Sequence, residues 1–319
     1  LFATTALVAT AGIAAADVSI SGFAEMGIAD TNAANQGWEF HQDIDVTFSM
    51  TGETDGGLTF GASVDLDETT AGTTTDDDHG TTVFISGGFG KLTMGDTDGA
   101  FDWALTETAM GGSIADDHTA HAGYAGNSGL DGGAAPMGGD GQVLRYDYSI
   151  NGFGVAVSLE QEANALGAAT DDITGFGVTY AMDMGGTAIT LGAGMQDAGA
   201  NEDISGVSVK AAMANGITLV ANTSDESSVA DRSIKRTGFG IGYTMDALTV
   251  TANFGSVDRT GTVNDTDGYG LAVNYDLGGG AVVQLGYGSS DYNASNTLGT
   301  SGATLADANT TSIGLALSF

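Results

Sequence analysis

Residues 38–50 read WEFHQDIDVTFSM. Trp38, Phe40, Ile44, Val46, Phe48 and Met50 fall on one parity, and Glu39, His41, Asp43, Asp45, Thr47 and Ser49 on the other. Successive side chains of a strand point to opposite faces, so this stretch is a strand with one apolar and one polar, largely acidic face. The same alternation runs through LTFGASVDL (58–66), where Leu58, Phe60, Ala62, Val64 and Leu66 share a face, and through LTVTANF (248–254), with Leu248, Val250, Ala252 and Phe254.

Carried along the chain, the period-two pattern predicts sixteen strands, at 17–29, 38–50, 57–67, 81–87, 89–95, 142–150, 153–161, 173–182, 186–196, 204–213, 216–224, 235–245, 248–257, 267–276, 281–290 and 310–319. The connections alternate between short turns, such as Asn151-Gly152 and Asn215-Gly216, and long acidic loops, of which 96–141 is by far the longest. An even number of strands joined by alternating short and long connections describes a closed antiparallel barrel with both ends of the chain on the short-turn side.

Composition narrows the functional classes. The 319 residues include 52 Gly, a single Pro, no Cys, and 41 Asp plus Glu against 7 Lys plus Arg, a formal net charge of −34. Strict apolar patterning argues for order despite that charge. A phosphate backbone needs a basic surface, so nucleic acid is excluded as a partner. The first residues, with an apolar run from Leu1 to Ile13 and then Ala14-Ala15-Ala16, read as a partial signal peptide over 1–16, with a short buried helix as the alternative. Beyond them no apolar stretch approaches the ~18 residues of a membrane helix, so entry into a membrane requires a barrel. Export without cysteine fits a bacterial envelope protein.

A soluble sandwich also alternates, and the choice rests on which face is apolar. Gly238, Gly240, Gly242, Gly270, Ala272 and Asn274 make a poor outer coat and a plausible lumen lining. Four strands close on one phrase before a short turn: YSIN (148–151), YAMD (180–183), YTMD (243–246) and YDLG (275–278). Tyr148, Tyr180, Tyr243 and Tyr275 would then form an interfacial girdle, rings on acyl chains and hydroxyls at head groups.

From residue 17 to 319 the chain resembles the general-diffusion porins of Gram-negative outer membranes, the sixteen-stranded, trimeric, alphaproteobacterial kind. The phrases that carry the likeness are DVSISGFAEMGI, VTFSMTGETDGGLTFGASVDL, GKLTMGDTDGAFD and SIGLALSF. The resemblance implies an all-β transmembrane barrel that passes small hydrophilic solutes, a homotrimer, contact with lipid and lipopolysaccharide, and assembly by the barrel-insertion machinery, which would read Phe319. It also implies that loop 96–141 folds inward as the constriction, with Asp96, Asp98, Asp102, Glu107, Asp116 and Asp117 as its charges. Where the family pattern puts basic wall residues, this sequence has Glu25, Asp43, Asp45 and Asp65, and Asp96 follows Gly95 in place of an arginine. The inward-phased cations are Lys91, Arg145, Lys210 and Arg236. The expected consequence is a pore that attracts cations.

Other chemistry is less well supported. TTTDDDHG (73–80) offers Asp76, Asp77 and Asp78 as candidate Ca²⁺ ligands, and DTDG occurs at 96–99 and 265–268, but none completes a calcium-loop pattern. His118 and His121 could approach a shared Zn²⁺ only on a helical turn. No serine, histidine and acid constellation or phosphate-loop context appears, so an enzyme is not expected and no cofactor is required. A secreted, acidic, calcium-binding β-sheet surface protein is the alternative. The final stretch, TTSIGLALSF (310–319), sets Ile313, Leu315, Leu317 and Phe319 against Ser312, Gly314, Ala316 and Ser318, and is expected to close the barrel against the first strand.

Overall fold

The computed structural model describes residues 17–30, 37–67, 80–116, 121–124, 129–130, 142–161, 172–199, 202–228, 232–260, 265–292, 297–298, 303–304 and 308–319. The expected signal segment, Asp76 to Asp78, Asp117 and His118 lie outside these residues. The first strands are β1 (Asp17–Asp30), β2 (Glu39–Glu53), β3 (Thr59–Asp67), β4 (Thr81–Gly87) and β5 (Gly90–Gly95). A five-residue helix α1 (Ala100–Ala104) and a 3-10 turn (Ile114–Asp116) lie in the loop that follows. Then come β6 (Gln142–Ile150), β7 (Phe153–Gln161), β8 (Ile173–Asp183), β9 (Thr187–Asp197), β10 (Asp203–Met213) and β11 (Ile217–Ser228). The chain continues with β12 (Arg232–Met245), β13 (Leu248–Arg259), β14 (Thr266–Gly278) and β15 (Ala281–Tyr292), a small ladder of β16 (Thr297–Leu298) with β17 (Ala303–Thr304), and β18 (Ala308–Ser318).

All but the small ladder form one closed antiparallel barrel, each strand paired with its sequence neighbour and β18 closing on β1. At the closure Phe23 faces Ser318 and Gly27 faces Gly314, and Phe319 donates its N–H to Gly22 O at 2.9 Å. Closure leaves no unpaired edge along the sheet. Tight turns hold the register on the short-connection side: Asn151 and Gly152 take φ of 52° and 84°, the left-handed pair that matches the twist of a two-residue hairpin.

The apolar parity points outward. Ile20, Phe40, Ile44, Val83, Met94, Phe176, Val207, Phe239, Leu271, Leu285 and Ile313 are all exposed, Phe40 to 97%. In water such a surface would be a large exposed apolar patch, whereas in a bilayer it is the solvated face. The alternative of a secreted sheet protein therefore falls, because closure has put the polar parity inside. Tyr148, Tyr180, Tyr243 and Tyr275 share the outward parity, with Tyr243 and Tyr275 exposed and Tyr180 stacked on Phe153 at 4.2 Å between centroids. A second aromatic group, Phe254, Tyr269 and Tyr287, stands on the same face toward the long loops, with Tyr269 and Tyr287 centroids 6.0 Å apart.

Candidate functional site: the inner wall and its loop

The chain leaves β5 and lies along the inner face of the barrel. The N–H of Ala100 donates to Ser158 Oγ on β7 (2.9 Å), and that of Thr106 to Ser208 Oγ on β10 (2.9 Å). Asn222 Nδ2 on β11 donates to Thr106 O (3.3 Å). Asn274 on β14 grips Gly112 twice, accepting its N–H at 3.1 Å and donating to its carbonyl at 2.6 Å. The N–H of Ala115 reaches Glu25 Oε2 on β1 at 3.2 Å. The loop then turns back: His121 Nε2 lies 2.6 Å from Asn253 Oδ1 on β13, the Ala122 N–H donates to Ser290 Oγ on β15, and the Leu130 N–H to Gln196 Oε1 on β9. The first leg thus passes from β7 round to β1, one or two loop residues per strand.

Small inward residues make this path. A Cβ at Gly177, Gly192 or Gly240 would overlap the carbonyl oxygen of Ala100, Ala104 or Thr108 respectively, so at these three positions only glycine admits the loop backbone. The glycines of β12 that read as lumen lining do face inward, but Gly238 and Gly240 lie beneath Thr108 and Gly242 beside Met110. The hydroxyls and amides of the wall stand in for the water that the loop backbone loses there.

α1 is too short to be stable alone and is held by packing. Phe101, Ala104, Leu105 and Leu130 bury themselves against Ile173 on β8 and Ile204 on β10, with Phe101 only 1% exposed. This apolar cluster sits on the side of the sheet that alternation marks as polar. Its signal was present in AFDWAL, where Phe101, Ala104 and Leu105 have helical i, i+3, i+4 spacing. Phe101→Ala should cost loop docking about 3–5 kcal/mol. A glutamate-specific protease should then cut faster after the exposed Glu107, with the barrel itself intact.

The inward faces of β2 to β4 are half-exposed, whereas Thr93, Val143 and Arg145 on the inward faces of β5 and β6 are buried. The β2 to β4 arc presents His41, Asp43, Asp45 and Asp65, with Asp65 accepting from Thr47 Oγ1 at 2.9 Å, and Asp147 faces inward on β6. Lys91 is inward too, opposite Asp147 in register and 4.7 Å above the Phe84 ring. Arg145 is buried at the loop's root: Nη1 donates to Asp98 O at 2.6 Å, and Nε lies 3.3 Å from Asp147 Oδ1. On the loop, Asp98 is largely exposed, Asp102 lies half-buried in the first turn of α1, Glu107 accepts from Tyr124 Oη at 2.8 Å, and Asp116 ends the 3-10 turn. Asp96 sits at the top of β5, its N–H donating to Thr81 O.

The remaining wall charges are dispersed. Glu25 is mostly covered by the loop, its Oε2 also 3.1 Å from His41 Nε2. Lys210 faces inward on β10, half-buried. Arg236 is paired with Glu226, Nη1 to Oε2 at 2.6 Å. Close by is Arg259, which the sequence reading missed because it expected β13 to end two residues earlier. Its Nη1 donates to Thr266 Oγ1 at 3.2 Å and its N–H to Asp265 Oδ1 at 2.8 Å. The parity of Thr251, Asn253, Gly255 and Val257 would have found it had the strand been extended. Among the described residues no three His, Asp or Glu side chains are arranged to hold a metal ion.

Comparison with known proteins agrees with this construction. Residues 3–295 match the family model described as Gram-negative porin. A curated porin of Rhodobacter capsulatus is 30% identical over 298 residues, 86% of this chain and 95% of that protein. A porin structure refined at 1.8 Å resolution superposes with a TM-score of 0.70 at 25% identity, over 95% of this chain and 100% of that one. An engineered Rhodopseudomonas blastica porin shares the fold, with a TM-score of 0.69 at 18% identity, over 95% of this chain and 100% of that one. The chain belongs to the Gram-negative porin family, and is a channel protein of the outer membrane that crosses it as a sixteen-stranded β-barrel.

Proposed function

We propose that this porin passes small hydrophilic solutes by passive diffusion and favours cations, with loop 96–141 narrowing the lumen. The observation that carries the reading is the inward arc from β2 to β4, where Asp43, Asp45 and Asp65 stand with no lysine or arginine on the same three strands. The loop adds Asp102, half-buried, and Glu107, exposed. Carboxylates on both sides of an aperture concentrate cations there, with a reach of about 8 Å at physiological ionic strength. Arg145 is paired with Asp98 and Asp147, and Arg236 with Glu226, so these groups offset one another and the acidic excess rests on Asp43, Asp45 and Asp65.

The test is the reversal potential of single channels in a planar bilayer under a salt gradient. A potential of the sign set by cations is expected, shrinking as salt is raised; equal or greater anion permeability refutes the reading. The proposed partners are lipid and lipopolysaccharide around the apolar band, two further copies of the chain, and assembly machinery that recognises Phe319, which is 79% exposed on the outer wall. Cross-linking in outer-membrane fractions separates a trimer from a monomer. Calcium at Asp76 to Asp78 remains a proposal on ligand chemistry alone.

A further inference from the structure

Ile114 is 0% exposed although it lies at the far end of the loop, distant in sequence from both the root at β5 and the apolar cluster around Phe101. It is seated in a notch formed by Gly27 on β1 and Gly314 on β18, which are partners in the register that closes the barrel. A methyl on either glycine would overlap Ile114 Cδ1 and the backbone of the facing strand. Ala115, at φ 57°, turns the chain here, and its N–H is held by Glu25 Oε2 on β1. The same carboxylate oxygen is 3.1 Å from His41 Nε2 on β2. On the other side, Asn274 fixes Gly112.

We infer that Ile114 is a positioning residue for the channel. Seated in the Gly27 and Gly314 notch, it holds the far end of the loop on the seam of the barrel and keeps the aperture open between the loop and the β2 to β4 wall. The two halves of the notch come from the first and last strands, so the site for Ile114 exists only in a closed barrel, and docking of the loop's far end follows closure. Releasing Ile114 leaves this part of the loop held by the hydrogen bonds of Gly112 to Asn274 and of Ala115 to Glu25 without its apolar anchor. This goes beyond the ion preference proposed above and does not depend on it.

The experiment is planar-bilayer recording of Ile114→Ala beside Ile114→Val. Emptying a fully buried aliphatic site should raise the undocked population by ~30-fold or more. The alanine variant should therefore close at lower applied voltage and flicker between sub-conductance levels, while valine, which keeps the branched carbon and most of the volume, should restore closure close to that of the parent channel. Gel migration with and without heating checks the barrel, which should be unchanged because Ile114 lies outside the sheet. An alanine variant with the parent's closure voltage and noise overturns the proposal, and so does one whose barrel fails to form, since the contact would then be structural. Reversal potentials from the same records should not move between variants; an anion-favouring value in all three channels would sink the ion-preference reading and leave the positioning role standing.

Discussion

Replacing Asp43 and Asp45 together by lysine is expected to turn a cation-preferring channel into an anion-preferring one. Both residues share the inward parity of β2 and are half-exposed there. The double change swings the local charge by four units. A unit charge ~5 Å from a passing ion contributes roughly 0.8 kcal/mol in water and about half that after physiological screening. Four such units amount to about 1.5 kcal/mol against a cation and the same in favour of an anion, or on the order of a hundredfold in the ratio of cation to anion permeability. The effect should be largest in dilute salt and nearly vanish at molar concentrations, where the screening length contracts to about 3 Å. Reversal potentials of the parent and double variant at several ionic strengths test this. An unchanged ratio would mean that permeating ions do not pass this arc, and would move the selective region to the loop carboxylates.

The strands were legible because a bilayer enforces the rule the sequence is read by. Lipid outside and water inside leave no ambiguity about which parity is apolar, so β4, β6 and β7 fall where alternation puts them and β2 differs only by a few residues at its ends. Alternation fades at the rims, where both faces meet water. There β11 runs on to Ser228 and β12 starts at Arg232, beyond the stretches the pattern marked, and Arg259 was lost in the same way.

The loop's course was not legible, for a different reason. Glycine, serine and asparagine on the inward parity are compatible both with an open lumen and with a bed for another segment, and spacing alone does not separate the two. Gly177, Gly192 and Gly240 become informative only once the carbonyls of Ala100, Ala104 and Thr108 are seen to occupy the space a side chain would fill. The same holds for Glu25. By phase it is a wall carboxylate, and it does point inward, but its oxygen is engaged by the loop backbone and by His41. Asp43 and Asp45 lie on the next strand with the same parity.

Ile44 lies between those two aspartates and points the opposite way, 44% exposed on the outer face. Ile44→Arg is expected to prevent most of the protein from inserting. An arginine on the lipid face near mid-membrane costs about 2–4 kcal/mol, which is ~30-fold or more in the equilibrium between inserted barrel and unfolded chain. The comparison with the lysine pair at 43 and 45 removes the usual ambiguity of such a test. Both variants add positive charge within one three-residue stretch of β2, the lysine pair by the larger amount on inward side chains and the arginine on an outward one. Folding into lipid vesicles, followed by the shift in gel migration on heating, should show the double lysine variant assembling like the parent and the single arginine variant largely failing. If Ile44→Arg assembles as well as the parent, this part of β2 does not face hydrocarbon. The exposed run of Ile20, Ile44 and Phe319 along the seam would then have to be covered by something other than lipid.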